Sequence, residues 1–178
     1  MKIYRLVVLV SLLISSSLYA QSYDQKRLQV GFGVYNLTVN YNNSFDYEFS
    51  GTAISAAYAP TDNLSFRVSF YSLDNDDFSA LESSGYDLVI YGGTGLATQG
   101  FKIYGGGGIY SDTWELNGFE DDFSGVQLSG GLGYNWEVVA LDFVIGIRST
   151  SDYEDELSQI GLLVDTVTTS SLTLSMRF

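Results

Sequence analysis

Large apolar residues recur at every second position through most of this 178-residue chain. The clearest run, LSFRVSFY at 64–71, places apolar side chains at the even positions and mostly small or charged ones at the odd positions. Period-two alternation is typical of a strand with one apolar face and one polar face. Further runs of this kind lie at 28–34, 52–58, 86–94, 101–110, 126–134, 139–148 and 172–178. The pattern predicts an all-β chain with eight strands.

Composition excludes several classes of function. The chain has no Cys and no His, so disulfide frameworks, zinc fingers, thiol nucleophiles and Ser-His-Asp catalysis are ruled out. Acidic residues outnumber basic ones 21 to 8, and the sequence pI is near 4.1. Nucleic-acid binders track phosphates with basic residues, so we expect no nucleic-acid partner.

The first twenty residues have the order of a secretory signal peptide. Two basic residues, Lys2 and Arg5, precede an apolar run at 6–14, and small and polar residues follow up to Ala20. We therefore expect a cleaved signal over 1–20 and one domain over 21–178. No later stretch has the roughly 18 consecutive apolar residues of a membrane helix, so the exported chain is either soluble or a closed barrel.

The connections between the alternating runs are of two kinds. Short ones lie near 60–63, 97–100 and 135–137, and longer ones lie at about 40–48, 74–84, 112–123 and 150–159. The long connections hold 15 of the 21 acidic residues and no Lys or Arg. Short turns on one rim and long loops on the other predict an eight-stranded antiparallel up-and-down transmembrane β-barrel, with short periplasmic turns and acidic extracellular loops.

Two places depart from strict alternation. Near Tyr35 the apolar positions change parity to Leu37 and Val39, which predicts that the first strand bulges or ends early there. Leu163 and Val167 also break the pattern at the start of the eighth strand.

The final strand carries a more specific signal. Leu172, Leu174 and Met176 alternate up to a terminal Phe178. An apolar C-terminal strand ending in Phe resembles the assembly signal of bacterial outer-membrane barrels, and the whole predicted domain resembles the small eight-stranded barrels of the OmpA/OmpX/opacity-protein type. This resemblance implies an outer-membrane location, contact with membrane lipid and lipopolysaccharide, and recognition of the terminal strand, with Phe178 as the assembly signal, by the barrel-assembly machinery.

A membrane barrel turns its apolar parity toward lipid, which leaves the polar parity for the lumen. The charged residues within the predicted strands all fall on that polar parity, and we expect them to form a lumen ion network: Arg67, Asp87, Lys102, Asp142, Arg148 and Arg177. Tyrosines share the parity, so ion pairs and aromatic rings should plug the narrow interior. A soluble lipocalin-like barrel, with its apolar face inward, is the alternative, but the scarcity of charge on the polar face favours the membrane form.

The acidic loops offer weak candidates for a Ca²⁺ or Mg²⁺ site, because hard cations prefer several carboxylate oxygens. The candidates are Asp74, Asp76, Asp77, Glu120, Asp121, Asp122, Glu154, Asp155 and Glu156. None has the spacing of a defined calcium site, and a solvated acidic surface is the simpler interpretation. Divalent ions could also bridge these loops to lipopolysaccharide phosphates.

The aromatic residues near the loops have two interpretations. Trp114, Phe119 and Phe123 could anchor a partner or belong to a membrane-interface girdle. We favour the girdle for Phe123, leave Trp114 open, and place Tyr134 and Trp136 at the opposite interface.

Two functions remain open. We expect a non-enzymatic barrel without cofactors that serves envelope structure or surface interaction and adhesion. The alternative is a narrow porin-like channel for small solutes or ions, in which the lumen cations would favour anions.

Overall fold

In the computed structural model, residues 25–41, 46–77, 80–116, 118–151, 153 and 164–178 are described. They contain eight β-strands: β1 (Leu28–Tyr41), β2 (Asp46–Thr61), β3 (Leu64–Asn75), β4 (Leu81–Thr94), β5 (Gly100–Leu116), β6 (Phe119–Asn135), β7 (Val139–Arg148) and β8 (Val164–Arg177). The signal peptide predicted at 1–20 lies outside the described residues. Within those residues, no helix is long and apolar enough to cross a lipid bilayer.

Each strand pairs antiparallel with the next, and β8 closes on β1 to complete a barrel. The register, followed once around the barrel from Leu28, returns to β1 at Thr38, ten residues farther along. A stagger of this kind requires strands tilted against the barrel axis, as closed barrels show. The predicted all-β, eight-stranded fold is confirmed.

The outer wall carries a continuous apolar band. Side chains predicted to face lipid are exposed on every side of the barrel; Phe70, Ile90 and Ile145, for example, are each more than half exposed. A water-soluble protein of this size rarely exposes apolar surface on this scale. The band is the surface with which a transmembrane barrel meets the bilayer.

The first strand does not bulge at Tyr35, so that prediction is wrong. Tyr35, Leu37 and Val39 all point inward and are buried, because the even positions stay outward along the whole strand. The parity of the apolar residues changes because the lumen is lined by apolar side chains close to the extracellular end. The register shift lies closer to the end of β1, between Asn40 and Tyr41, in the pairing with β8.

The strands also extend farther than alternation predicted. The region 112–123, expected to be a long loop, is a hairpin in which β5 runs to Leu116 and β6 starts at Phe119. Its turn includes Gly118, whose φ of 85° suits glycine. Acidic residues assigned to loops therefore lie on strands, above the apolar band.

Candidate functional site

The upper half of the lumen is organised around the guanidinium of Arg148. It forms ion pairs with Asp87 at 2.7 Å and with Asp112 at 2.6 Å. It also donates to the hydroxyls of Tyr35 at 2.9 Å and Tyr71 at 3.0 Å. All five side chains are buried. A buried charge is tolerated when it is paired and its remaining donors are satisfied, and here the strands of opposite walls supply those partners.

A second ion cluster lies nearer the periplasmic rim. Lys102 contacts Asp142 at 2.8 Å, and Arg67 contacts the same carboxylate at 3.1 Å. Tyr104 donates its hydroxyl to Asp142 at 2.5 Å, and Arg67 also lies over the Tyr91 ring. Two cations thus share one carboxylate, whereas two carboxylates share Arg148 in the upper cluster.

Arg177 lies at the periplasmic mouth and contacts backbone carbonyls. Its guanidinium donates to the carbonyl oxygens of Trp136 and Ala97, both at 2.6 Å. Of the six residues predicted for the lumen network, the structure brings five into two ion clusters and places Arg177 below them.

An aromatic layer closes the extracellular end. Tyr153, from the segment after β7, is fully buried and stacks on Phe123 with ring centroids 4.5 Å apart. Its hydroxyl donates to Asp112 at 2.5 Å. Trp114 packs against Phe123 at 5.0 Å. The prediction that Phe123 belongs to a membrane-interface girdle is therefore wrong, because the strand turns this side chain inward. Trp114, which was left open, is also a lumen residue.

The turn between β4 and β5 folds into the periplasmic mouth. Leu96 and Ala97 are buried, and the Asp62 carboxylate accepts hydrogen bonds from the backbone N–H groups of Gly95, Ala97 and Thr98 at 3.0–3.1 Å. Partial burial acts to raise the pKa of Asp62, but these hydrogen bonds outweigh it and hold the pKa below its ordinary value. The turn is thus fixed in the mouth.

Little free space is left between the two ion clusters. The cavity between them holds only about 20 Å³, room for about one water molecule. Inward glycines make this close filling possible. A Cβ at Gly131 would lie 2.5 Å from the Tyr104 ring, and one at Gly133 would lie 2.8 Å from Cε of Lys102. The lumen between the two ion clusters is therefore closely packed.

The extracellular part of the outer wall is acidic. Asp74, Glu82, Glu115 and Glu120 lie directly opposite one another across β3, β4, β5 and β6, which makes a row of four carboxylates. No Lys or Arg among the described residues points outward from this part of the wall. Like charges in direct cross-strand register repel, so this surface has a strong negative potential.

The candidate cation ligands are not gathered into one site within the described part of the chain. Asp74, Asp76, Asp77, Glu120, Asp121 and Asp122 are all exposed, and no three acidic side chains among the described residues are placed to hold a metal ion. Two of them are engaged locally, since Asp76 accepts from Ser50 and Asp122 from Thr113. Glu154, Asp155 and Glu156 lie outside the described residues.

Sequence reasoning missed three residues that hold the interior or its periplasmic mouth together. Asp112 was assigned to an acidic loop, although it shares the even parity of Lys102, Tyr104 and Tyr110 on the same strand. Extending the alternation past Tyr110 would have placed it inward. Asp62 and Tyr153 lie outside the alternating runs, so no periodic signal marked them.

No protein-family model matches the sequence. No curated protein sequence matches it either. Solved structures, however, are similar. Ail, the attachment invasion locus protein of Yersinia pestis, has a TM-score of 0.58 at 15% identity, over 86% of this chain and 99% of that one. This chain has the fold of a small outer-membrane β-barrel.

Two further structures agree with this assignment. Neisserial surface protein A has a TM-score of 0.56 at 16% identity, over 84% of this chain and 95% of its own. The outer membrane protein OprG of Pseudomonas aeruginosa has a TM-score of 0.53 at 10% identity, over 88% and 95%. The resemblance drawn from the terminal strand and loop layout is confirmed at the level of the fold.

Proposed function

We propose that this protein is a non-enzymatic outer-membrane barrel that acts through its extracellular surface and by its structural presence in the envelope. The observation that carries the proposal is the filled lumen. An aromatic layer, two ion clusters and an inserted turn follow one another along the barrel, with a void of only about 20 Å³ between the clusters. This filling supports a function that belongs to the outer surface rather than to transport through the lumen.

The chemistry of the extracellular wall narrows the class of partner. Ail has also been crystallised with the heparin analogue sucrose octasulfate. Here the wall presents carboxylates such as Glu82, Glu115 and Glu120, with no outward Lys or Arg among the described residues. It therefore suits a cationic partner, or an anionic one such as lipopolysaccharide when divalent cations bridge the two.

The hairpin of β5 and β6 offers an apolar contact next to this acidic surface. Phe119 is 80% exposed and lies opposite Leu116, next to the turn, on the hairpin face opposite to that of Glu115 and Glu120. Of the three aromatic residues considered as partner anchors, Trp114 and Phe123 are buried, whereas Phe119 is free to make a contact. Exposed aromatic side chains are common anchors in protein interfaces.

Conductance in a planar bilayer tests the filled lumen. We expect correctly folded protein, verified by its heat-dependent shift on a gel, to give no discrete conductance steps. Discrete steps whose ion selectivity changes on Arg67→Gln would instead establish a pore and contradict the proposal.

Sedimentation with lipopolysaccharide vesicles tests the surface. We expect protein in detergent micelles to co-sediment in Mg²⁺ and to be released by a chelator. The combined variant Glu82→Gln, Glu115→Gln and Glu120→Gln should lose the Mg²⁺ dependence, whereas Glu137→Gln on the periplasmic rim should keep it. Equal binding by both variants would show that the acidic wall is not the contact.

A further inference from the structure

An open groove of about 590 Å³ lies on the outer wall, across β6, β7 and β8 with one edge on β1. The register places Ile145 between two small outward residues, Gly130 on β6 and Ser170 on β8. One position higher on the same face, Ile147 lies between Leu128 and Thr168. The groove exists because glycine and serine leave space on both sides of the Ile145 side chain.

The chemistry of the groove changes from one end to the other. Toward mid-membrane its walls are apolar and belong to the exposed band, with Leu128 and Ile145 more than half exposed. Toward the extracellular end it is lined by the hydroxyl-bearing residues Thr38, Thr168 and Ser170. No charged side chain lines it. The groove therefore combines an apolar floor with a neutral hydrogen-bonding rim.

We propose that this groove binds one acyl chain of an outer-leaflet lipid, with the hydroxyl rim facing the ester or amide group from which the chain extends. The inference rests on the outer-membrane location proposed above. Inside a bilayer, association depends on van der Waals packing and hydrogen bonds, because lipid is as apolar as the protein surface. An empty groove would forgo those contacts. Asn36 already donates to the Ser170 hydroxyl at 3.3 Å, and this hydroxyl keeps its own proton to donate to a lipid carbonyl.

Other occupants fit less well. A second copy of the barrel would bring two acidic walls together, since carboxylates such as Glu120 and Asp122 lie above the groove on β6. A phosphate would find no basic side chain in the lining. A second outer groove of about 400 Å³, near Phe32 and Leu174, is lined almost wholly by apolar side chains and offers no rim that would orient a lipid.

Photolabelling in vesicles tests the site. The probe is phosphatidylethanolamine with a diazirine in the middle of one acyl chain, diluted into unlabelled phosphatidylethanolamine vesicles that contain the folded protein. Adducts at Ile145 and Ile147 are compared with adducts at Phe70, since the three side chains are similarly exposed, at 56%, 59% and 57%. We expect a several-fold excess at the two isoleucines, reduced by competition with unlabelled lipid A.

Two outward glycines supply a matched pair of variants. A Cβ at Gly130 or at Gly105 would lie 3.8 Å from the nearest atom, and the two residues pair directly on neighbouring strands. Gly130→Leu should fill the groove and remove the excess labelling, whereas Gly105→Leu, outside the groove, should leave it unchanged.

The remaining outcomes separate the site from the proposed function. Equal labelling of Ile145 and Phe70 would show ordinary lipid contact and overturn the site while leaving the membrane location intact. Labelling of Phe70 with protection of Ile145, or cross-links between barrels, would show that protein covers the groove, and this too would overturn it. No labelling at either position would contradict the membrane location itself.

Discussion

At the scale of single residues, Arg148 connects several walls of the barrel interior. Asp87 and Asp112 come from β4 and β5, and Arg148 from the end of β7, so one guanidinium joins distant walls of the barrel. Removing one partner of a buried ion pair is costly because the remaining charge stays buried without compensation.

We expect Arg148→Met to destabilise the barrel by about 3–5 kcal/mol, because it leaves two buried carboxylates facing each other. The stability of Arg148→Lys should lie between those of Arg148→Met and the parent protein. One ammonium group cannot replace the guanidinium, whose several N–H donors reach both carboxylates. Urea unfolding in detergent micelles, followed by tryptophan fluorescence, measures this. Arg27→Met, at the periplasmic end, is the control, and an Arg148→Met midpoint equal to that of the control would disprove the role of Arg148.

The contacts of Asp62 predict how the stability of the protein depends on pH. Because the pKa of Asp62 in the folded protein lies below its ordinary value, ionised Asp62 stabilises the fold. That contribution is complete above the unfolded-state pKa near 4 and is lost as pH falls through the folded value. Asp62→Ala should therefore lower the thermal midpoint at pH 7, and the difference from the parent should shrink toward pH 3.

The control for this series is Glu137→Ala in the neighbouring periplasmic turn, which has no such set of backbone donors among the described residues. A difference between Asp62→Ala and the parent that stayed constant from pH 7 to pH 3 would mean that the negative charge does not hold the turn.

At the scale of elements, alternation predicted the centre of each strand better than its ends. The lipid-facing positions follow from period two because the bilayer demands an apolar outer face over a fixed height. On the extracellular side of the bilayer, the requirement on the two faces of a strand is reversed. The outer face becomes polar and the inner face apolar, so Leu37 and Val39 appeared to break the pattern although the strand continues.

The same reversal explains why acidic residues that lie on strands were assigned to loops. An outward carboxylate above the membrane looks like a loop residue in the sequence, and only strand pairing shows that Glu82, Glu115 and Glu120 form a row. The Asp62 contacts could not be predicted from the sequence, since they join two turns about 35 residues apart. Neither local propensity nor periodicity encodes such a pairing.

The acidic row predicts a stabilising substitution. Glu115 lies opposite both Glu82 and Glu120, and like charges in direct register destabilise a sheet by roughly 0.2–1 kcal/mol per pair. Glu115→Gln should therefore raise the thermal midpoint in low salt, and the gain should shrink at high ionic strength. Glu137→Gln, in the turn between β6 and β7 and away from the acidic row, is the control. If the increase in the thermal midpoint of Glu115→Gln did not depend on salt, repulsion within the acidic row would not be its cause.

At the scale of the whole molecule, the barrel has three separate environments: a lumen filled largely by side chains, a lipid-facing band and a wet extracellular wall. Buried residues occupy both ends of the lumen, with Tyr153 under the extracellular rim and Leu96 with Ala97 in the periplasmic mouth. Adjacent residues of one strand thus meet different surroundings. Ser171 lines the small lumen cavity, whereas Ser170 lines the outer groove.

Because the chain contains no cysteine, single substitutions can report these environments without background. We expect Ser72→Cys, on the exposed wall above the band, to react with a charged, membrane-impermeant maleimide in vesicles. Ser170→Cys should react only with an apolar maleimide that partitions into lipid, and Ser171→Cys should react with neither until the barrel is unfolded. Reaction of Ser171→Cys with the charged reagent in folded protein would show that water and small ions enter the lumen. The closed interior would then be wrong, and the channel function would regain its basis.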